Sequence, residues 1–266
     1  MISPTGLILT FNERENIART LAALSWVERI LIVDSYSTDD TLEIAKQAHP
    51  CLTIVQQHFD SFAGQCNFGL TQIASPWVLS IDADYVFTAE LRDEIQRLNP
   101  TEEIAGYAAR FHYCVFGQRL RNTIYPPRTI LYRRELAHYE DEGHGHRVRV
   151  HGKVESLTSF IDHDDRKPLS RWMRAQDRYT VVEARHLIQA SAADLTFQDR
   201  MRRQIYFAPF AMLFYLFLGR GLILDGWRGW YYVGQRVLAE LLLSLRLLEM
   251  KKVPADVAHD TASRSR

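Results

Sequence analysis

The feature that most constrains the fold is a regular alternation, from Gly6 to about Phe111, of short β-rich apolar runs with segments of helical periodicity. The apolar runs are short enough to be buried strands, and apolar residues between them recur at the spacing of one helix face. Strands that alternate with helices form βαβ units, whose strands are parallel. The predicted strands are Gly6 to Thr10, Arg29 to Asp34, Leu52 to Val55 and Trp77 to Ile81. We therefore predict an α/β fold in which helices flank a mixed sheet.

The remainder of the chain changes character twice. Residues 104–161 alternate in a strand-like way, which predicts an extension of the same sheet. Ser170 to Ser191 has an apolar and a basic face, which predicts an amphipathic helix. The predicted organisation is one domain over residues 1–168, made of two halves (about 1–100 and 101–168), a helical region over 169–252, and a flexible tail over 253–266.

Composition excludes several classes of protein. Hydrophobic residues make up 47% of the chain, which is the composition of a protein with a packed core. The 32 basic and 32 acidic residues cancel, so no overall charge attracts nucleic acid, and we expect no nucleic-acid partner. The three cysteines contain no Cys-x-x-Cys pair, which argues against a disulfide framework and a thiolate zinc site. The first residues lack a basic region typical of secretory signals, so we expect a cytoplasmic protein.

The predicted strands end in polar residues. Ligands of open α/β sheets bind at the carboxyl ends of the strands, so these residues are the candidates for function. They contain neither the Gly-x-Gly-x-x-Gly turn that holds a dinucleotide pyrophosphate nor the P-loop that holds nucleotide phosphates. Two carboxylates one residue apart, Asp82 and Asp84, can instead bind Mg²⁺ or Mn²⁺, which bridges phosphate oxygens. The sequence thus predicts a metal–diphosphate site.

Simpler interpretations exist for each of these residues. An Asp-x-Asp after a strand is commonly a solvated turn. Asn12, Asn16 and Asp39 are residue types that cap helices. For Asp34 the simpler interpretation is weaker, because a carboxylate that ends a buried strand needs a hydrogen-bond partner, which a ligand can supply.

Three motifs in order resemble glycosyltransferase family 2. They are Leu9-Thr10-Phe11-Asn12-Glu13-x-x-Asn16-Ile17, Val33-Asp34-Ser35-x-Ser37-x-Asp39-x-Thr41 and Ile81-Asp82-Ala83-Asp84. Within the family, the chain is most similar to bacterial enzymes of lipopolysaccharide-core and surface-polysaccharide assembly. The motifs cover about the first 100 residues, and a looser similarity continues through His163-Asp164-Asp165 and Leu224-Asp225-Gly226-Trp227-x-Gly229. The resemblance implies a GT-A fold, a nucleoside-diphosphate-sugar donor such as a UDP- or GDP-sugar, a divalent cation, and inversion at the anomeric carbon.

The resemblance also implies roles for individual residues. Thr10 and Glu13 would line the nucleoside pocket, and Asp34 would hydrogen-bond the base. Asp84 would bind the metal, and Asp82 the ribose or the metal. The remaining donor-binding residues that it implies are Asn12, Ser35, Gln65 and Asn67.

Inverting transfer needs a general base on the acceptor side of the site. The segment from Tyr139 to His146 holds three carboxylates and two histidines on what we predict is a flexible turn. Glu142 is the first candidate for the base and Asp141 the second. An exposed acidic loop is the competing interpretation. His163 can complete the metal shell, with surface charge clustering as the alternative.

The last third of the chain indicates a membrane interface. Ile205 to Leu218 carries no charge and, at 1.5 Å per residue, spans roughly 21 Å, which is short of the ~30 Å hydrocarbon core. Arginines and aromatic residues around it are typical of a helix that lies at anionic lipid headgroups. The alternative is a hydrophobic lid buried on the domain or in a dimer.

Together these features predict a metal-dependent inverting glycosyltransferase, peripheral on the cytoplasmic face of the inner membrane. It would transfer a sugar to a lipid-linked saccharide in cell-envelope polysaccharide or lipopolysaccharide biosynthesis. Two alternatives stay open: transfer to a polyprenyl phosphate, and a non-catalytic, membrane-associated saccharide-binding protein.

Overall fold

The computed structural model describes residues 2–142, 145–191, 193 and 195–252. The chain divides into two compact units, of which the first ends at Lys167 and the second begins at Pro168. The strands are β1 (Thr5–Thr10), β2 (Arg29–Asp34), β3 (Leu52–Gln56), β4 (Trp77–Asp82), β5 (Tyr85–Phe87), β6 (Ile104–Val115), β7 (Gln118–Arg119), β8 (Arg128–Arg133), β9 (Ala137–Glu142), β10 (Gly145–Val150) and β11 (Lys153–His163). The helices are α1 (Ile17–Ala23), α2 (Thr41–Ala48), α3 (Phe62–Gln72), α4 (Ala89–Arg97), α5 (Leu169–Gln189), α6 (Phe197–Arg203), α7 (Ala208–Phe214) and α8 (Trp227–Lys252).

The first unit is built on one mixed sheet. Among the described residues its strand order is β3-β2-β1-β4-β8-β6-β11-β5, with β7 paired to β6. Strands β3, β2, β1 and β4 are parallel to one another, and β8 pairs antiparallel with both β4 and β6. This confirms the predicted α/β fold with a mixed sheet flanked by helices.

Local sequence explains why the first half alternates. The strands carry continuous apolar runs, and Ile8, Ile32 and Leu79 are completely buried in the core. Two helices begin at hydroxyl caps: Ser61 accepts a hydrogen bond from the amide of Gly64, and Thr88 accepts one from the amide of Leu91. These caps fix the residues at which the two helices begin.

Of the segment from Tyr139 to His146, which we predicted to be a flexible turn, the described residues lie in strands. Tyr139 to Glu142 belong to β9, which pairs antiparallel with β10 from Gly145 onward in a separate two-stranded sheet, and residues 143 and 144 lie outside the described residues. The prediction failed because acidic side chains are depleted in strands, whereas here cross-strand pairing holds them. Arg149 donates to Glu140 at 2.9 Å, so opposite charges pair diagonally across the two strands.

The second unit is helical and has its own small core, which includes Ala184, Leu187, Leu243 and Leu247. Of the uncharged run from Ile205 to Leu218, α7 includes only Ala208–Phe214, and a π-helical turn over Tyr215–Gly219 follows. Within the described residues, we find no helix whose length and hydropathy would let it cross a bilayer.

Candidate functional site

Three polar strand ends lie at one edge of the sheet. Strands β1, β2 and β4 are parallel neighbours that end at Thr10, Asp34 and Asp82. Thr10 lies opposite Asp34, and Leu9 lies opposite Asp82. The carboxyl edge of the parallel half therefore carries the polar residues that a ligand of this fold would meet.

Asp34 is the most deeply buried of these residues, with 0% of its surface exposed. Its carboxylate accepts hydrogen bonds from the Thr10 hydroxyl at 2.8 Å, from the Ser37 amide at 2.9 Å and from the Ser37 hydroxyl at 2.6 Å. The Gln56 side chain donates a fourth at 3.3 Å. The Ser35 amide also donates to the Thr10 carbonyl at 2.9 Å. The protein itself thus supplies the partners that this carboxylate needs, and its contact with a base stays a prediction.

Asn12 and Glu13 follow β1 and join it to other segments. The Asn12 amide oxygen accepts from the Thr38 backbone amide at 2.7 Å. The Glu13 carboxylate accepts from Asn16 at 3.1 Å and forms an ion pair of 2.8 Å with Lys167. Burial raises the pKa of Glu13 to about 7, although the Lys167 ammonium opposes this. A largely buried carboxylate, paired with Lys167, therefore lies directly beside the strand end.

Asp84 and His163 form the centre of the acidic site. Their side chains meet at 3.1 Å between Oδ2 and Nε2, because β11 pairs with β5 so that His163 lies opposite Tyr85. Burial favours the neutral carboxyl, but the His163 imidazole and the Lys167 ammonium outweigh it and hold the pKa of Asp84 below its usual range. Asp82 is more exposed and lies 3.9 Å from the Arg128 guanidinium.

Two buried polar atoms at this centre have no hydrogen-bond partner: Asp84 Oδ1 and His163 Nδ1. Unpaired polar atoms are costly to bury, so such atoms mark places where a ligand or ion can bind. Carboxylate oxygens and an imidazole nitrogen are donors that Mn²⁺ accepts, and Mg²⁺ prefers the oxygens. Within the part of the chain that the structure describes, no group of three or more His, Cys, Asp or Glu side chains could by itself hold a metal ion. The donor set therefore fits a cation only if other ligands, such as phosphate oxygens, complete its shell.

Gln65 and Asn67 lie on α3, whose position they help to fix. Gln65 is buried and donates from Nε2 to the carbonyl of His58 at 2.8 Å, while its Oε1 has no partner. Asn67 exchanges two hydrogen bonds with the Tyr139 backbone, at 3.0 and 2.9 Å. The Asn67 amide therefore joins α3 to β9, and the roles of both residues in donor binding stay predictions.

Asp141 lies at the first turn of α3, where its carboxylate accepts from the amide of Ala63 at 3.1 Å. Negative charge is favourable at a helix N-terminus, which explains this placement. The Glu142 side chain lies outside the described residues. The catalytic roles of both acids stay predictions.

Sequence reasoning missed Arg128. This residue opens β8, and the antiparallel register of β8 with β4 brings it to the Asp82 end of that strand. Its guanidinium also lies 5.2 Å from the centre of the Tyr125 ring. The sequence shows a basic residue at the start of a strand, but only the antiparallel pairing of β8 with β4 places this residue near Asp82.

The loop after β11 is held against α1 by charge. Asp164 is 3% exposed and accepts from Arg19 at 2.6 Å and from Arg166 at 2.9 Å. Asp165 accepts from Asn16 at 2.9 Å. This network fixes the segment that carries His163 and Lys167 next to the acidic site.

An α/β sheet whose parallel strands end in polar residues is an architecture that binds ligands at this edge, and comparison with known proteins gives the family. The model of glycosyl transferase family 2 matches residues 7–151, which is more than half of the chain. The chain therefore belongs to glycosyltransferase family 2, as the three motifs predicted, and its fold is of the GT-A type.

Similar proteins include an uncharacterized glycosyltransferase of Rickettsia felis, 36% identical over 93 residues, which are 35% of this chain and 32% of that protein. The lipopolysaccharide core biosynthesis glycosyltransferase LpsC of Rhizobium meliloti is 30% identical over 138 residues, 50% of this chain and 48% of that protein. The matches thus span between about a third and a half of these relatives.

Solved structures with a similar fold include the mannosyltransferase PcManGT of Pyrobaculum calidifontis in complex with GDP-Man and Mn²⁺. It is 15% identical, with a TM-score of 0.49 over 98% of this chain and 79% of that chain. Residues 1–349 of S. aureus TarS in complex with UDP-GlcNAc are also 15% identical, with a TM-score of 0.47 over 94% and 92% of the two chains.

Proposed function

We propose that this protein transfers one sugar, with inversion, from a nucleoside-diphosphate sugar to a lipid-linked saccharide during synthesis of cell-envelope polysaccharide or lipopolysaccharide. The observation that carries the proposal is the pair of unpartnered buried atoms, Asp84 Oδ1 and His163 Nδ1, beside the polar ends of three parallel strands. Membership of family 2 supports the reaction class. Similarity to LpsC over half of this chain supports the choice of pathway.

Asp84 would hold a divalent cation, Mg²⁺ or Mn²⁺, with Asp82 and His163 as further ligands. When bound, such a cation neutralises the charge of the departing diphosphate. The protein prepares the site by keeping Asp84 ionised, since the His163 imidazole and the Lys167 ammonium overcome the effect of burial on its pKa. Arg128, 3.9 Å from Asp82, supplies a fixed positive charge at the same strand end.

The nucleoside would lie across the ends of β1 and β2, in contact with the loops that contain Thr10, Asn12, Glu13 and Ser35. These loops are already ordered by hydrogen bonds between them, including that from the Thr38 amide to Asn12 and that from Ser35 to Thr10. A preordered site loses less conformational freedom when the ligand binds, which favours affinity.

Asp141 and Glu142 stay our candidates for the base that takes the proton of the acceptor hydroxyl. Asp141 Oδ1 accepts from the Ala63 amide, so the carboxylate is oriented by α3. A general base must lie within hydrogen-bond reach of the proton that it takes, and a fixed orientation of the carboxylate favours this.

Calorimetric titration of UDP and GDP, with and without Mn²⁺, tests the donor site. We expect binding that depends on Mn²⁺ in wild type and is lost in Asp84→Asn. The exposed Asp93→Asn variant is the matched control, because Asp93 lies on α4 and pairs with Arg92. If neither nucleotide binds wild type under any condition, the donor site is wrong and a non-catalytic saccharide-binding role gains weight.

Replacement of Asp141 by Asn, and separately of Glu142 by Gln, tests the base. A large fall in turnover with unchanged affinity for the donor identifies the base. If both variants keep the wild-type rate, β9 does not supply the base. Transfer to a polyprenyl phosphate would then be favoured, because a phosphate acceptor is already a nucleophile and needs no strong base.

The proposed acceptor is lipid-linked because the second unit exposes a row of large apolar side chains. We name this row the apolar face: Phe207, Phe210, Phe214 and Leu218, each about 60–70% exposed. The opposite side of the same segment is buried, with Ala208 and Leu216 facing the unit's interior. A short amphipathic segment with exposed aromatic residues is typical of helices that lie in the headgroup region of a membrane. This surface would place the enzyme on the cytoplasmic face of the inner membrane.

Sedimentation with phospholipid vesicles tests the membrane surface. We expect wild type to bind vesicles that contain phosphatidylglycerol, and the double variant Phe210→Ser/Phe214→Ser to lose most of this binding. Val182→Ser/Ile188→Ser is the matched control, because these apolar residues of α5 are also partly exposed. Equal vesicle binding by all three proteins would overturn the assignment of the apolar face. A concentration-dependent dimer that only the Phe variant disrupts would assign the face to self-association instead.

A further inference from the structure

The backbone of Tyr36 has an unusual conformation that the fold does not explain. Among the described residues, the non-glycine residues with positive φ are Asn12, Tyr36, Phe116 and Ile205. Asn tolerates this region, Phe116 lies with Gly117 in the tight turn between β6 and β7, and Ile205 follows the last turn of α6. Tyr36, at φ 60°, is the third residue of the turn from Asp34 to Ser37, a position where positive φ ordinarily selects glycine.

The Tyr36 side chain is exposed rather than packed in the core. Tyr36 is 43% exposed, and its ring stacks on the ring of His58, with centroids 4.2 Å apart and an angle of 26° between planes. His58 follows the end of β3, so the two rings bridge the carboxyl ends of neighbouring strands. A bulky residue held in a strained conformation with its ring presented to solvent favours a functional role over a structural one.

The position of this pair relative to the acidic site favours one ligand group. Tyr36 follows β2, and Asp82 ends β4, with only β1 between them. Two strand spacings amount to about 10 Å. In a nucleoside diphosphate the ribose and the first phosphate separate the base from the terminal phosphate. With the diphosphate at Asp84, the base therefore reaches the β2 side of the edge.

We propose that Tyr36, supported from behind by His58, is the stacking wall for the nucleobase of the donor. This inference rests on the proposed function, which supplies the nucleotide. An aromatic ring stacks on any base, whereas the buried carboxylate of Asp34 beside it is already occupied by four hydrogen bonds from the protein. The stack thus contributes affinity for the nucleotide without selecting one base over another.

The test compares Tyr36→Phe and Tyr36→Gly with wild type by calorimetric titration of UDP and GDP in the presence of Mn²⁺. We expect Tyr36→Phe to retain its affinity for the nucleotide. The affinity of Tyr36→Gly should fall about 5- to 150-fold, which corresponds to the contribution of base–aromatic stacking. Glycine also relieves the positive-φ strain, so the Tm of Tyr36→Gly should equal or exceed that of wild type. A fall in affinity without a fall in Tm separates a binding role from a structural one.

Two further arms make the test specific. Phe116→Gly removes another exposed aromatic residue with positive φ and should leave nucleotide affinity unchanged. Inorganic pyrophosphate, used as a competitor of UDP, carries no base and should bind wild type and Tyr36→Gly equally well.

The outcomes separate this inference from the proposed function. If wild type binds UDP or GDP and Tyr36→Gly binds equally well, the stacking wall is wrong and the donor site stands. An equal loss in Tyr36→Phe and Tyr36→Gly, or an equal loss for pyrophosphate, also overturns stacking. If wild type binds neither nucleotide, both the inference and the proposed function fail.

Discussion

Replacement of Asp34 by Asn should strongly destabilise the first unit. The Asp34 carboxylate is completely buried and accepts four hydrogen bonds, from the Thr10 hydroxyl, the Ser37 amide and hydroxyl, and the Gln56 amide. Asn keeps the shape of the side chain but removes the charge and converts one acceptor atom into a donor. The substitution therefore tests the electrostatic part of the network without leaving a cavity.

The loss of stability expected for Asp34→Asn follows from these four hydrogen bonds. A hydrogen bond to a charged group contributes about 1.5–3 kcal/mol, and a neutral one about 0.5–1.5 kcal/mol. The loss of charge assistance is thus about 1 kcal/mol per bond. Bonds that share one carboxylate are not additive, so we expect a total of about 3 kcal/mol. For a chain of this size, that corresponds to a fall in Tm of roughly 6–12 °C.

Thermal unfolding followed by circular dichroism, without nucleotide, measures the effect. The exposed Asp93→Asn variant is the control for loss of a carboxylate, and its Tm should stay close to that of wild type. A Tm of Asp34→Asn within 1 °C of wild type would refute the reasoning. It would mean that the hydrogen bonds of Asp34 do not stabilise the ends of β1 and β2, and that the Asp34 carboxylate serves only to bind a ligand.

Three further predictions concern the packing around the site. Asn67→Ala should lower the free energy of unfolding by about 2 kcal/mol, because it leaves two backbone groups of Tyr139 without hydrogen-bond partners. A urea unfolding curve that matches that of wild type would contradict this. Burial raises the pKa of the Cys66 and Cys114 thiols whereas Cys51 is exposed, so a thiol reagent should label one cysteine in the native protein and three after unfolding. Because the pKa of Glu13 is raised from 4.5 to about 7, the folded state retains a proton that the unfolded state releases between these values. The unfolding free energy of wild type relative to Glu13→Gln should therefore fall as pH rises through this window, and a difference independent of pH would argue against it.

Much of the parallel half of the fold could be predicted from the sequence. Buried strands of this kind are continuous apolar runs, and their ends are marked by an abrupt change to polar residues, as at Thr10 and Asp34. Because the strands are parallel, their ends must lie at one edge of the sheet, whereas the strand order that makes Thr10 and Asp34 neighbours came from the structure. The helix caps at Ser61 and Thr88 are equally local signals.

The acidic site was predicted only in part. Asp82 and Asp84 follow a strand and were recognisable, and His163 was a candidate only through its neighbours in sequence. Its contact with Asp84 spans 79 positions and depends on the antiparallel pairing of β5 with β11. Arg128 acquires its place beside Asp82 in the same way, from the register of β8.

The sequence by itself determined the α/β class, the family, and the polar edge of the sheet, because periodicity and strand-end chemistry are properties of neighbouring residues. Only the tertiary structure decided which atoms are satisfied within the protein, as in the Asp34 network, and which buried atoms are left unpartnered, as at Asp84 Oδ1. It also changed the predicted turn at Tyr139 into a strand. The physical reason is that pairing, burial and the loss of solvent from a polar atom depend on residues far apart in the chain, and no local pattern specifies them.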